Sequence, residues 1–86
     1  MEEFKGTPGP WKYTIRNVNE MMTTFHGVVM GDTYIEIATR NEREDAQLIS
    51  AAPEMLQALQ LMISAQVLPV YHQTIANAAI NKALGK

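Results

Sequence analysis

The sequence contains no cysteine. This absence excludes a disulfide framework, thiolate ligands for a metal ion and redox chemistry through thiols. Glycine-rich nucleotide-binding patterns are missing as well, since the five glycines form neither a G-x-G-x-x-G motif nor a P-loop. The lack of cysteine agrees with an intracellular protein, and we expect a cytoplasmic location.

Long hydrophobic runs are also absent. Residues 1–6 are acidic and contain no apolar stretch, so they do not form a signal peptide. The longest mainly apolar segment, residues 59–71, is interrupted by polar side chains and by Pro69 and is too short to cross a bilayer. We therefore expect a soluble protein that has no membrane partner.

Basic charge is scarce and scattered. The chain has seven lysine and arginine residues against nine acidic residues, and its formal net charge is −2. The basic residues form no stripe that would release counterions from a nucleic acid. We therefore expect no nucleic-acid partner.

The length of 86 residues predicts one small domain with a thin hydrophobic core. Hydrophobic residues make up 47% of the chain and charged residues 19%, which is typical of a globular protein. We expect residues 1–10 to form a flexible N-terminal arm and residues 11–86 to form a single α+β domain. Because association often completes so small a core, we also expect a homo-oligomer.

Alternating side chains predict a first strand at residues 11–17. The turn-forming residues 7–10 lead into it. Residues 17–24 are predicted to form either a loop or a ragged continuation of strand pairing. In the strand, one face would carry Trp11, Tyr13 and Ile15, and the other Lys12, Thr14 and Arg16.

A β-hairpin is predicted at residues 25–30 and 33–39, which flank the tight-turn pair Gly31-Asp32. Gly31 is expected to adopt a positive φ. The register implied by this turn pairs Val28 with Ile35, Val29 with Tyr34 and Met30 with Thr33.

Both faces of this hairpin are largely apolar. Helices of the same chain can cover one face, but the other face, with Phe25, Val29 and Tyr34, also needs a cover. Either the arm around Trp11 or a second subunit would supply it, and we favour a second subunit.

Three helices are predicted in the second half of the chain, at residues 42–51, 53–65 and 69–84. We expect two or three of them to pack on a small antiparallel three-stranded sheet, which makes the fold class α+β. The second helix has an apolar stripe that includes Met55, Leu59 and Met62.

Local signals set the boundaries of these helices. Asn41 followed by Glu44 is a variant of the capping box, and it predicts a side-chain cap at the start of the first helix. Pro53 disfavours a helical conformation at the residue before it, so it should separate the first helix from the second. Pro69 and Gly85 should bound the third helix in the same way.

No combination of residues indicates a catalytic site. His26 and His72 lie on different predicted elements, and neither has a second imidazole or a carboxylate at helical spacing. Ser50 and Ser64 have no neighbouring base. We therefore expect no enzymatic activity, no metal ion and no cofactor.

Binding residues are instead expected among the aromatic and arginine side chains of the first half of the chain. Stacking planes and forked guanidinium donors suit a protein partner or the phosphate of a small nucleotide. The candidates are Trp11, Tyr13, Arg16, Phe25, Val29, Tyr34 and Arg40.

Two segments of the chain resemble a group of small phage and prophage proteins. The first is Thr7-Pro8-Gly9-Pro10-Trp11, which is similar to their TPGPW-like start. The second, residues 45–59, is similar to their helical pair, written A-x-L-I-x-A-A-P-E-x-L-x-A-L. The resemblance ends after Leu59. Similar proteins often continue with a variable linker at this point, and this chain has no obvious linker.

The resemblance implies a phage or prophage accessory protein in the cytoplasm of the bacterial host. Proteins of this kind often act by binding, so we expect a non-enzymatic oligomer that binds a host protein in an anti-host or anti-defence role. The alternative is a sponge-like protein that sequesters a small molecule or a nucleotide. The resemblance supplies no catalytic residues.

Overall fold

A computed structural model describes residues 3–20, 22–66 and 68–86 of the chain. Its elements are β1 (Trp11–Val18), β2 (Thr23–Met30), β3 (Thr33–Glu36), α1 (Glu42–Ser50), α2 (Ala52–Ala65) and α3 (Val70–Ala83). The three strands form one antiparallel sheet in the order β1-β2-β3. The predicted α+β class, with a three-stranded sheet followed by helices, is confirmed.

The chain divides into two compact units. The sheet unit, Thr7–Pro53, contains the three strands and α1. The helical unit contains residues 3–6 and Glu54–Lys86, and therefore most of α2 and all of α3. A single domain and a flexible arm at residues 1–10 stay predictions, and residues 1 and 2 of that arm lie outside the described residues.

The first two strands pair over their whole length. Their register runs from Trp11 opposite Met30 to Val18 opposite Thr23, so residues 17, 18, 23 and 24 continue the pairing, whereas the described residues between them form a turn. Met21 of that segment lies outside the described residues. The Thr24 hydroxyl donates to the Asn17 side-chain oxygen at 2.9 Å, and this cross-strand pair extends the pairing beyond the predicted strand ends.

The second hairpin has the predicted register. Gly31 has a positive φ of 63°, as expected, and glycine adopts this conformation at little cost. Across the hairpin, Val28 lies opposite Ile35, Val29 opposite Tyr34 and Met30 opposite Thr33.

Strand β3 ends at Glu36 rather than at residue 39. The Ile37 amide still donates to the His26 carbonyl at 2.9 Å. Beyond that bond the chain leaves the sheet, and the Thr39 hydroxyl donates to the Asp45 carboxylate of α1. The predicted strand end is wrong because this contact with the helix replaces strand pairing.

Helix α1 packs against β1 and β2. Val28 in β2 and Ala46 in α1 have no exposed surface, and His26 is only 7% exposed. The core of the sheet unit therefore lies between α1 and the sheet face that carries Val28 and His26.

The predicted side-chain cap at the start of α1 is wrong. Asn41 has φ −111° and ψ 55°, and its side chain makes no capping hydrogen bond. A capping residue normally has an extended backbone that brings its side chain to the first free amides, and Asn41 does not have that backbone. The Asn41 carbonyl instead accepts from the Asp45 amide at 2.9 Å.

Pro53 lies in the first turn of α2, where its missing N–H breaks no helical hydrogen bond. The helix begins at Ala52, one position earlier than predicted. Pro53 also lies close to the N-terminal segment, since a Cβ added to Gly9 would be 2.8 Å from the Pro53 Cβ. Glycine at position 9 therefore permits this close approach.

Helix α3 begins after Pro69 and ends before Gly85, close to the predicted bounds. Gly85 has φ 82°, and its amide donates to the Lys82 carbonyl at 3.2 Å. The Lys86 amide donates to the Asn81 carbonyl at 2.8 Å. These two bonds form a Schellman motif, which satisfies carbonyl groups in the last turn.

Candidate functional site

One face of the sheet brings together an arginine and two aromatic rings. Arg16 lies opposite Phe25, and Tyr34 lies opposite Val29, four residues along the same strand from Phe25. Side chains alternate along a strand, so all four project to the same side. We call this surface the Arg16 face, and its residues are Lys12, Thr14, Arg16, Phe25, Gly27, Val29, Tyr34 and Glu36.

Three neighbours hold Arg16 on this face. Its guanidinium carbon lies 5.1 Å from the centre of the Phe25 ring and 5.7 Å from that of Tyr34, within the range of cation–π attraction. Its Nη2 donates to Glu36 Oε1 at 3.3 Å. The Arg16 and Glu36 side chains are 59% and 39% exposed, so this ion pair contributes at most about 1 kcal/mol. The rings and the carboxylate orient the guanidinium while leaving it accessible.

The Tyr34 ring lies over Gly27. A Cβ at Gly27 would come within 2.6 Å of two Tyr34 ring atoms and 2.5 Å of the Ile35 carbonyl oxygen, so only glycine fits there without movement. Among the described residues, the Tyr34 hydroxyl is buried and has no hydrogen-bond partner. An unpaired buried hydroxyl costs about 1–3 kcal/mol. The Arg16 face therefore has a polar group whose hydrogen-bonding capacity is not used.

The opposite face of the sheet carries Trp11 and Tyr13. The Tyr13 hydroxyl and His26 Nδ1 are 2.7 Å apart, and the two rings are parallel within 2°. Trp11 Nε1 donates to the Thr7 carbonyl at 3.1 Å. These hydrogen bonds engage both aromatic residues in the structure of the sheet unit itself.

The structure thus brings together only part of the predicted binding set. Arg40 is exposed in the segment between β3 and α1, outside the strands. The Arg16 face holds Arg16, Phe25, Val29 and Tyr34, whereas the opposite face holds Trp11 and Tyr13.

Glu36 belongs to the Arg16 face but is not among the predicted binding residues. Alternation along β3 places it on the same side as Tyr34, so the sequence contained a signal for its direction. Its proximity to Arg16 depends on the pairing of all three strands, because the two residues lie on the outer strands β1 and β3. The sequence predicts only the register of the second hairpin, and that register alone does not show that Glu36 lies near Arg16.

The helical unit contains an apolar groove between α2 and α3. Its volume is about 340 Å³, and we call it the α2–α3 groove. His72 is the single ionisable side chain among the residues that line it. The lining consists of Leu59, Met62, Leu68, His72, Ile75, Ala76 and Ala79.

Apolar side chains beside this groove remain largely exposed. None of the α2 residues is fully buried, and the buried residues of α3 are Ala76 and Ile80. Met55 and Met62, which belong to the predicted apolar stripe of α2, are 50% and 44% exposed, and Ile75 of α3 is 53% exposed. The stripe is therefore correct as a pattern, but much of its surface is not buried.

The described residues show how some of the polar side chains considered for chemistry are placed. In the part of the chain that the structure describes, no group of three or more histidine, aspartate or glutamate residues is placed to hold a metal ion. The Ser50 hydroxyl donates to the Gln47 carbonyl at 2.7 Å. No helix within the described ranges is long and apolar enough to cross a membrane.

Comparison with known proteins identifies a phage family. The chain matches the family model of Salmonella phage P22 protein Y8K6 over residues 1–86. A search of curated proteins finds no significant match, and a search of solved structures finds none either. The resemblance to phage proteins is confirmed at this level, whereas the kinship suggested by the two quoted motifs stays a prediction.

Proposed function

The chain belongs to the family of Salmonella phage P22 protein Y8K6, and on that premise we propose that this phage protein acts by binding a host protein rather than by catalysis. The proposed contact surface is the Arg16 face of the sheet. Family membership supports the phage role, and the geometry of Arg16 supports the contact.

The observation that carries the proposal is the orientation of the Arg16 guanidinium between two rings and a carboxylate. Protein interfaces concentrate their binding free energy in a few arginine, tyrosine and tryptophan side chains. A side chain that is already held in its binding direction loses less conformational entropy on association. Arg16, stacked 5.1 Å from Phe25 and 5.7 Å from Tyr34, meets both conditions.

The Arg16 face fits a partner surface that presents a carboxylate among apolar side chains. A partner carboxylate can replace Glu36 as the acceptor for Arg16 at little cost, because the exposed pair contributes at most about 1 kcal/mol. Phe25 and Val29 are partly buried and supply the apolar surround.

Binding is favoured over catalysis by the state of two polar side chains that were considered for catalysis. His26 is buried and hydrogen-bonded to Tyr13, and the Ser50 hydroxyl is bonded within α1. A nucleophile or base needs a free, accessible position beside the substrate. Both groups instead make hydrogen bonds in the sheet unit, His26 within the sheet and Ser50 within α1.

A pull-down from a Salmonella lysate tests the proposal, with the intact protein immobilised as bait. The variant Arg16→Glu reverses the charge of the guanidinium and removes it from the rings. We expect it to reduce recovery of the host partner at least tenfold, because the partner carboxylate would then meet a like charge. The matched control is Arg43→Glu, which makes the same charge change at an exposed arginine of α1.

The retained protein is identified by mass spectrometry, and its affinity for both variants is then measured with the purified pair. Circular dichroism verifies that each variant is folded. If no host protein is retained, or if Arg16→Glu and Arg43→Glu retain it equally, the proposed contact is wrong.

Binding of a small phosphate-bearing ligand, such as a nucleotide, is the second candidate function. It is favoured by the Arg16 fork, which can hold a phosphate beside two aromatic rings. A ligand at 100 times its Kd would raise the free energy of unfolding by about 2.7 kcal/mol. Thermal-shift measurements with a panel of cyclic and linear nucleotides therefore detect such binding. A shift in melting temperature that Arg16→Glu abolishes would support nucleotide binding rather than the host contact.

A further inference from the structure

We propose that the outer edge of β1 binds an extended acidic segment of a partner protein, which adds to the sheet as a further strand. Among the described residues, the strand order β1-β2-β3 gives β1 a pairing partner on one side only. This inference goes beyond the proposed function, because it rests on the backbone of β1 and on Lys12 rather than on the Arg16 guanidinium.

The strand register shows which backbone groups face the outer edge of β1. The Ile37 amide donates to the His26 carbonyl, so the backbone of His26 faces β3. Ile15 lies opposite His26 in β1. In an antiparallel pair, a residue directs its N–H and C=O to the same edge, so Ile15 and His26 form a non-hydrogen-bonded pair and the groups of Ile15 face outward. Tyr13 and Asn17, two positions away on either side, face outward in the same way.

These outward-facing groups determine the form of the partner. Within the described ranges, the outward N–H and C=O groups of Tyr13, Ile15 and Asn17 have no hydrogen-bond partner. Such a row of donors and acceptors pairs with another extended chain, as in recognition by strand addition. The edge is long enough for this purpose, because β1 has eight residues whereas the other edge strand, β3, has four.

The side chains along β1 determine the composition of the partner. Lys12 is exposed and makes no ion pair with another described residue. Its backbone faces β2, so an added antiparallel strand would place a residue opposite it in a non-hydrogen-bonded pair, where facing side chains are closest. An acidic residue at that position would pair with the ammonium group. On the other face, Ile15 is 49% exposed, and an apolar residue of the partner would cover it.

The charge of β1 argues against a second copy of this chain as the partner. The strand contains Lys12 and Arg16 and no acidic residue. Two-fold pairing of β1 with itself would bring the basic side chains of both copies to one face, and like charges across strands are destabilising. Pairing of β1 with β3 of another copy would leave a free edge at each end and continue into a filament. An acidic segment of a different protein avoids both problems.

Amide hydrogen exchange, measured by NMR on the intact protein, tests the edge. The probe is the peptide Val-Glu-Val-Glu-Val-Glu-Val with acetyl and amide ends, whose glutamates lie on one face of a strand and whose valines lie on the other. At saturating peptide we expect exchange of the Tyr13, Ile15 and Asn17 amides to slow at least tenfold, because the added strand supplies their acceptors. The Thr14 and Arg16 amides face β2 and should exchange slowly even without the peptide.

A reversal of charge tests the acidic character of the partner. The peptide Val-Lys-Val-Lys-Val-Lys-Val keeps the same alternation, and we expect it to bind at least tenfold more weakly than the glutamate peptide. Lys12→Glu should reverse this preference. Lys5→Glu is the matched control, because it makes the same change at an exposed lysine outside the sheet, and it should leave the preference unchanged. Circular dichroism verifies that both variants are folded.

Three results would overturn the proposal. The first is unchanged exchange of the outward amides with the glutamate peptide, and the second is equal affinity for the two peptides. The third is slow exchange of these amides without peptide that depends on protein concentration, which would mean that a second copy covers the edge. These measurements use neither a host lysate nor an Arg16 variant, so their failure is distinguishable from failure of the proposed host contact.

Discussion

The sheet unit contains side chains that are completely buried, whereas no residue of α2 in the helical unit is fully buried. Val28 and Ala46 in the sheet unit have no exposed surface. Met55 and Ile75 in the helical unit are 50% and 53% exposed. The sheet unit also pairs its buried polar group His26 with the Tyr13 hydroxyl. The sheet unit therefore has a core between α1 and the sheet, whereas the helical unit buries Ala76 and Ile80 of α3 and leaves the stripe of α2 half exposed.

This difference shows what an amphipathic pattern means in this chain. The apolar stripe on α2 follows the helical period. The period indicates which side chains avoid water, but it does not indicate whether the same chain or another chain covers them. Substitutions in the two units should therefore have different consequences.

The largest expected effect comes from placing a charge in each unit. Val28→Asp would bury an unpaired carboxylate and should lower the free energy of unfolding by about 4 kcal/mol or more. Leu61→Asp makes the same kind of change at a side chain that is 61% exposed, and it should cost less than about 0.5 kcal/mol. Urea unfolding followed by circular dichroism measures both. Equal losses would contradict the difference in exposure between Val28 and Leu61.

The second prediction compares two glycines. Gly27→Ala should cost about 1–3 kcal/mol, because its Cβ would clash with the Tyr34 ring and the Ile35 carbonyl. Adding Tyr34→Ala should not restore stability, since the backbone clash remains. Gly85→Ala has open space around its Cβ, so only the positive φ should cost stability, about 1 kcal/mol. Unfolding of the sheet unit is followed by the fluorescence of Trp11, the single tryptophan. The stability of Gly85→Ala is followed by the circular dichroism signal of the helices.

The third prediction compares the removal of a tyrosine hydroxyl from each of the two faces of the sheet. Tyr13→Phe leaves the buried His26 Nδ1 without its partner and should cost about 1–2 kcal/mol. Tyr34→Phe removes a hydroxyl that has no partner, so stability should stay unchanged or rise by up to about 1 kcal/mol. The shift in urea midpoint distinguishes the two variants. A loss of similar size for Tyr34→Phe would mean that this hydroxyl is satisfied.

The smallest expected effect concerns the ion pair of the Arg16 face. A double-mutant cycle with Arg16→Ala and Glu36→Ala should give a coupling of about 0.2–1 kcal/mol, since both side chains are exposed. Salt screens exposed charges, so the coupling should decline between 0.1 and 1 M sodium chloride. A larger coupling energy that does not decline with salt would mean that this ion pair is buried. The Arg16 face would then be less accessible than the structure indicates.

Much of the fold could be predicted from local signals. The Gly31-Asp32 turn determined the hairpin register, and Pro53, Pro69 and Gly85 determined helix boundaries to within one residue. The side-chain cap at Asn41 failed because capping depends on backbone angles that composition does not determine. The early end of β3 depended on a contact with α1, which no local pattern contains.

The candidate site was predictable only in part. Strand alternation already separates Arg16 from Trp11 and Tyr13, so the sequence itself argued against one common cluster. The ring stacking of Arg16 and its pairing with Glu36 depend on the three-strand register. The α2–α3 groove depends on how two helices meet, and the stripes on each helix do not determine that.

The close approach of Gly9 to Pro53 has an evolutionary consequence. These residues belong to the two segments that resemble phage proteins, and their contact leaves no space for a Cβ at position 9. Changes at the two positions should therefore be correlated across the family. A relative with alanine at position 9 is expected to have a smaller residue or a shifted helix start at position 53.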